Sequence, residues 1–128
     1  MHITLKGTPP STSQIYKYCR IGNYISGYMT ADGKRIKEEY AWEMKSQYRE
    51  GILSGEIRLR VEYYFKGKRK RDIDNFSKLW LDAGSGIIWE DDSQINELHL
   101  FKFRDDENPR IEIYGSKQLP TKENKNNK

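Results

Sequence analysis

The residues of this chain whose types and spacing could do chemistry lie between positions 66 and 97, where a run of bases is followed at once by acids. Lys66, Lys68, Arg69, Lys70 and Arg71 fill five of six positions, and Asp72, Asp74, Lys78, Asp82, Asp91 and Asp92 come after them. Two carboxylates about 4 Å apart repel by roughly 4 kcal/mol at a surface-like dielectric, so an acidic cluster persists only when protonated, paired or metal-bound. A divalent cation is the simplest way to offset that repulsion. Carboxylate oxygens are the ligands Mg²⁺ or Mn²⁺ prefers, with water completing the shell. His2 and His99 are the two histidines and Cys19 the single cysteine, which gives little support to a zinc centre or a histidine-based nucleophilic triad.

A cation held by such acids can ionise water, polarise a phosphodiester and neutralise the leaving oxygen. Lys78, four residues after Asp74, could hold the scissile phosphate or the attacking water. The basic run would draw a polyanion over the acids, by a contact that weakens steeply with salt. This points to a metal-dependent nuclease or phosphotransferase ahead of a plain DNA binder. A blander account stays open on spacing alone. Acids two apart also serve to cap a helix and pair with a neighbour such as Arg71, and residues 90–92 read equally as a solvated turn.

The elements around this stretch must position it. Ile57, Leu59, Val61, Tyr63 and Phe65 alternate with polar residues, which predicts a half-buried strand leading into the basic run. Where extended backbone persists, Asp72 and Asp74 point to the same side. From Asn75 a helix is expected, with Phe76, Leu79, Trp80 and Ala83 as its buried stripe and Asp74 at its cap. Lys78 then lies one turn deeper, and Asp82 pairs with it in a structural role. Gly84 and Gly86 end the helix, residues 87–89 anchor the return, and Asp91 or Asp92 is expected back beside Asp72 and Asp74.

Upstream, His2 to Lys6 reads as a short strand stopped by Gly7 and the pair Pro9 and Pro10. Residues 11–30, with four tyrosines and no clean period, read as a loop or irregular hairpin that either lies over DNA or lids the core. A helix capped by Thr30 follows to Gly51, with Ile36, Tyr40, Ala41, Met44 and Tyr48 on one face. Downstream, Gln94 to Phe103 and Arg110 to Tyr114 read as strands joined by a turn at 105–109, which predicts a hairpin.

With 128 residues the chain is expected to form one domain, residues 1–115, followed by a disordered basic tail, residues 116–128. Aromatic residues at 12%, nine of them Tyr, argue against disorder elsewhere despite a mean hydropathy of -0.97. The net charge of +4 and pI near 9.1 suit a nucleic acid partner without demanding one. A single cysteine, no signal-like start and no run of eighteen apolar residues predict a cytoplasmic protein without membrane contact.

Read together, Arg71-Asp72-Ile73-Asp74-Asn75, Lys78, Asp82-Ala83 and Ile88-Trp89-Glu90-Asp91-Asp92-Ser93-Gln94 resemble the R-D-x-D-N-x-x-K-x-x-x-D-A … W-x-D-D-x-Q pattern of the RusA family of Holliday-junction resolvases. The likeness extends more loosely from Ile3 to Tyr114. It implies an α+β fold, a small mixed β-sheet with two main helices, working as a homodimer. It also implies an endodeoxyribonuclease, often of phage or prophage origin, that resolves four-way junctions in DNA recombination and repair. The cofactor would be Mg²⁺ or Mn²⁺, with no small-molecule cofactor. By resemblance, Asp72, Asp74 and Asp92 are the catalytic metal-binding acids, Asp91 an adjacent ligand and Lys78 the catalytic lysine. Lys66, Lys68, Arg69, Lys70 and Arg71 become DNA contacts. A structure-selective DNA binder that does not cut, and a nuclease for other branched DNA, are the alternatives. Two departures from the family pattern are the terse turn Gly84-Ser85-Gly86 and the absence of an asparagine soon after Pro9-Pro10-Ser11.

Overall fold

The computed structural model describes residues 1–117. Its centre is the strand Ile57–Phe65, β4, where Ile57, Leu59, Val61, Tyr63 and Phe65 are all buried. Before it in the chain come β1 (His2–Lys6), a single helical turn α1 (Thr12–Ile15), β2 (Tyr16–Ile21), β3 (Tyr24–Met29) and α2 (Ala31–Gln47). After it come α3 (Lys78–Gly84), β5 (Ile95–Arg104) and β6 (Arg110–Lys117). The main sheet has the order β1-β6-β4-β5, while β2 and β3 form a separate two-stranded hairpin. This is the α+β architecture with a small mixed sheet and two main helices.

Both helices pack on the sheet face that carries the buried residues of β4. Thr30 caps α2 by accepting from the Gly33 N–H at 3.1 Å, and Tyr40 and Met44 enter the core from it. α3 supplies Leu79, Trp80 and Ala83, which meet Ile88 and Trp89 from the return segment. Trp80 and Trp89 are fully buried and stand edge to face, with ring centroids 6.4 Å apart.

Two sequence expectations need correction. β5 and β6 do not form a hairpin: β4 lies between them, parallel to β5 and antiparallel to β6. Ile111 and Ile113 are both fully buried, which suits β6 to an interior position between β1 and β4. The less regular β5 takes the edge. Ser116 and Lys117, assigned to the tail from sequence, pair with Arg58 and Ile57 as the end of β6. The remainder of that tail, 118–128, lies outside the described residues.

The opposite sheet face is covered by charge and rings. Glu112 is buried and accepts from Thr4 at 2.6 Å and Arg110 at 2.6 Å, with His2 Nε2 at 2.7 Å. Burial raises this carboxyl, but the hydrogen bonds from Thr4, Arg110 and His2 outweigh it and hold the group below its ordinary 4.5. Asp106, bonded by Arg104 and the Gly67 N–H, is lowered from 3.8 to about 2. A carboxyl depressed in the folded state stabilises above its unfolded value and loses that contribution as pH falls through the folded one. Thermal stability is therefore expected to decline between about pH 4.5 and pH 2, and less steeply in Asp106→Asn and Glu112→Gln. Tm measured against pH checks this; parallel curves for wild type and both variants would refute it.

Candidate active site

Where β4 ends at Phe65 the chain turns sharply at Gly67, whose φ of 82° few other residues adopt. Arg71 then folds back on this loop. It donates from Nη1 to the Arg69 carbonyl at 3.0 Å and from Nη2 to the Lys66 carbonyl at 3.1 Å, and its guanidinium lies 4.4 Å from the Phe65 ring centroid. Lys102 on β5 secures the turn by donating to the Arg71 carbonyl at 2.5 Å. The guanidinium is thereby committed elsewhere, and the ion pair between Arg71 and Asp72 that the blander account requires is not formed.

Asp72 sits in extended backbone, and Asp74 lies in a 3₁₀ turn, Ile73–Asn75, where the Asn75 N–H reaches the Asp72 carbonyl at 3.1 Å. Both side chains are exposed. Among the described residues the carboxylates of Asp72, Asp74 and Asp92 make no hydrogen bond or ion pair. The helix expected from Asn75 begins only at Lys78, with Ser77 in the cap position, so Asp74 does not cap it. The delay follows from Phe76, which must turn inward against Phe65 (4.9 Å) and Tyr63 (5.9 Å), and from Ser77, whose hydroxyl is 2.7 Å from that of Tyr63. Lys78 consequently points along its own helix, its Nζ 3.3 Å from Asp82 Oδ2.

The basic run forms a wall between two grooves. One, about 320 Å³, is lined by Thr8, Ser11, Ser13, Gln14, Arg69, Lys70, Arg71, Asp72 and Asn75. The other, about 270 Å³, adds Lys102, Phe103 and Arg104 to the same bases. Sequence reasoning placed Ser11 and Ser13 in a segment that could lie over DNA without giving either a role, and it missed Lys102. Pro9-Pro10-Ser11 was visible as a break in pattern, but nothing local announces Lys102, which reaches the wall because β5 runs parallel to β4 with Lys102 opposite Tyr63.

The second acidic group is placed differently from expectation. Asp91 closes its own turn by accepting from the Ser93 N–H at 3.0 Å, and its carboxyl is lowered chiefly by hydrogen bonding to Ser93. Gln94 locks the turn, accepting from the Glu90 and Asp91 N–H groups and donating to the Leu53 and Gly55 carbonyls at 2.9 and 3.0 Å. Asp92 is exposed just before β5, beside the start of β4, whereas Asp72 and Asp74 follow the end of β4. Parallel pairing brings these acids to the sheet from opposite ends. Among the described residues no three His, Cys, Asp or Glu side chains stand close enough to hold a metal ion, so the expected gathering of Asp91 or Asp92 with Asp72 and Asp74 is not seen among them. Two unpaired carboxylates still fit Mg²⁺, which keeps several waters and takes one or two protein carboxylates together with substrate phosphates.

The sequence model of the family described as endodeoxyribonuclease RusA matches residues 7–114. The chain belongs to the RusA family. That match takes in both grooves, the acids and the whole of α3. Among curated RusA relatives, the crossover junction endodeoxyribonuclease of Enterobacteria phage 82 is 29% identical over 113 residues, 88% of this chain and 90% of the relative. The proteins of the same name from Escherichia coli strain K12 and Shigella sonnei are each 26% identical over 106 residues, 82% of this chain and 85% of theirs. Among the described residues no helix is long and apolar enough to cross a membrane.

Proposed function

We propose that this chain is a Mg²⁺- or Mn²⁺-dependent endodeoxyribonuclease that cuts four-way DNA junctions by paired nicks, as a homodimer, in recombination and repair in the cytoplasm. Its carrying observation is the pair Asp72 and Asp74, left exposed and unpaired beside five bases because Arg71 is bound to Phe65 and two carbonyls. Membership of the RusA family and the junction endonuclease names of its relatives support the choice of reaction.

On this reading Lys66, Lys68, Arg69 and Lys70 hold the DNA backbone along the wall between the grooves, while Arg71 shapes the loop that carries them. Asp72 and Asp74 hold the cation where one groove ends, and Asp92 supplies a further ligand. Bound there, the ion would activate water and neutralise the leaving oxygen. The Lys78 ammonium offsets negative charge on the phosphate during in-line displacement. A four-way junction is two-fold symmetric, so a two-fold dimer presents one site to each of two opposing strands. Pairing also offers what is not seen among the described residues of one chain, because the partner's Asp92 can complete the acids begun by Asp72 and Asp74.

Labelled four-way junctions incubated with the protein in Mg²⁺ and in EDTA test the proposal. Symmetric nicks that disappear with chelator are expected; binding without nicks in either buffer would establish the non-cleaving alternative. Equal cutting of flaps and junctions would establish a broader nuclease. Junction affinity should fall linearly on a log scale with salt, and Lys70→Ala should lower the magnitude of that slope by about 0.9, one phosphate contact. Filter binding at several salt concentrations measures it, and an unchanged slope removes Lys70 from the DNA contacts.

A further inference from the structure

We propose that Asp82 and Tyr16 are positioning residues for Lys78, forming a three-residue clamp that aims the ammonium at the DNA; the inference rests on Lys78 acting at the scissile phosphate. Lys78 opens α3, and a cation in a first helical turn opposes the helix dipole. A lysine that precedes its acid by one turn is also the weaker order for such a pair. Local helix energetics therefore do not favour this arrangement.

Asp82 alone would hold Lys78 loosely, with Nζ at 3.3 and 3.5 Å from its two oxygens and the lysine half exposed. Tyr16 supplies the constraint. Its hydroxyl donates to Asp82 Oδ2 at 2.6 Å across 66 residues of chain, and its ring lies 5.4 Å from the Lys78 Nζ. One side chain thus fixes the acid through its oxygen and offers the cation a π face. Burial, then the bond to and charge of Asp82, push the phenol pKa above its ordinary value, so the hydroxyl remains a donor throughout the neutral range.

Tyr16 is itself held. Ile15 before it is buried, the Ile15 carbonyl accepts from the Thr30 N–H at 2.8 Å, and Tyr16 pairs with Met29 at the base of the hairpin. The pair between Lys78 and Asp82 is thereby braced by the start of β2, itself paired to the end of β3. A purely structural tie between hairpin and α3 would need the bond from Tyr16 to Asp82 but no lysine on the same carboxylate.

The test is single-turnover cleavage of a four-way junction in Mg²⁺ by Asp82→Asn and Tyr16→Phe, each alone and each combined with Lys78→Ala, with junction Kd and Tm measured alongside. Each single variant should cut about tenfold more slowly with Kd within about twofold of wild type, and neither should slow Lys78→Ala further. Equal slowing with and without Lys78 would overturn the inference while leaving the role of Lys78 intact. Wild-type cutting by Lys78→Ala would overturn the role of Lys78, and the clamp with it. Should Asp82→Asn unfold, Tyr16→Phe, which removes one oxygen and keeps the ring, decides the matter alone.

Discussion

An equimolar mixture of Asp74→Asn and Asp92→Asn chains, reassociated into dimers, is expected to nick four-way junctions where neither variant does so alone. Each substitution keeps side-chain shape and removes one charge, so each should retain junction binding through the basic wall. Each should also lose cleavage by at least about 100-fold, the scale seen when one charge-stabilising group leaves an active site. The mixture differs because the acids come to the sheet from opposite ends and no three of them gather within one chain's described residues. If the partner's Asp92 completes each site, a mixed dimer carries both substitutions in one site and neither in the other. One intact site cuts one strand, so nicks without paired resolution should appear on a denaturing gel. A mixture that contains mixed dimers yet stays inert would place each site inside one chain. Loss of junction binding by Asp74→Asn would mark that residue as part of the fold.

Trp80→Ala is expected to destabilise the fold severely. Trp80 is fully buried, meets Trp89 edge to face, and donates from Nε1 to the Tyr63 hydroxyl at 3.0 Å. That hydroxyl is in turn 2.7 Å from Ser77, the residue at which α3 begins. Truncation removes a large buried ring and leaves the Tyr63 and Ser77 hydroxyls without their third partner. Such changes cost about 3–5 kcal/mol, against a total stability on the order of 5–15 kcal/mol for a domain. Urea denaturation followed by circular dichroism should show the midpoint lowered by at least about a fifth. A midpoint near that of wild type would mean that the core collapses around the gap. Because α3 carries Lys78, junction cleavage should fall together with stability in this variant, whereas Asp74→Asn should lose cleavage at unchanged stability.

Short-range periodicity made much of the fold legible. The alternation from Ile57 to Phe65, the cap at Thr30 and the stripe of Leu79, Trp80 and Ala83 each express a period of one strand or helix, and each is buried or capped as read; Phe76 is buried too, from the turn before that helix. The candidate site was legible as an order of residue types, because bases followed by spaced acids form a pattern along the chain whatever its folding.

The sequence by itself determined β4, the body of α2, the buried side of α3 and which family the chain resembles, since these depend on neighbours within a few positions, whereas residues 11–30, without a clean period, gave no such reading of α1, β2 and β3. Only the tertiary structure decided that β5 lies parallel to β4 and apart from β6, that Arg71 turns to Phe65 and away from Asp72, and that Tyr16 reaches Asp82. The reason is physical: these outcomes turn on contacts between distant parts of the chain competing for the same partners, and no local period records which contact wins.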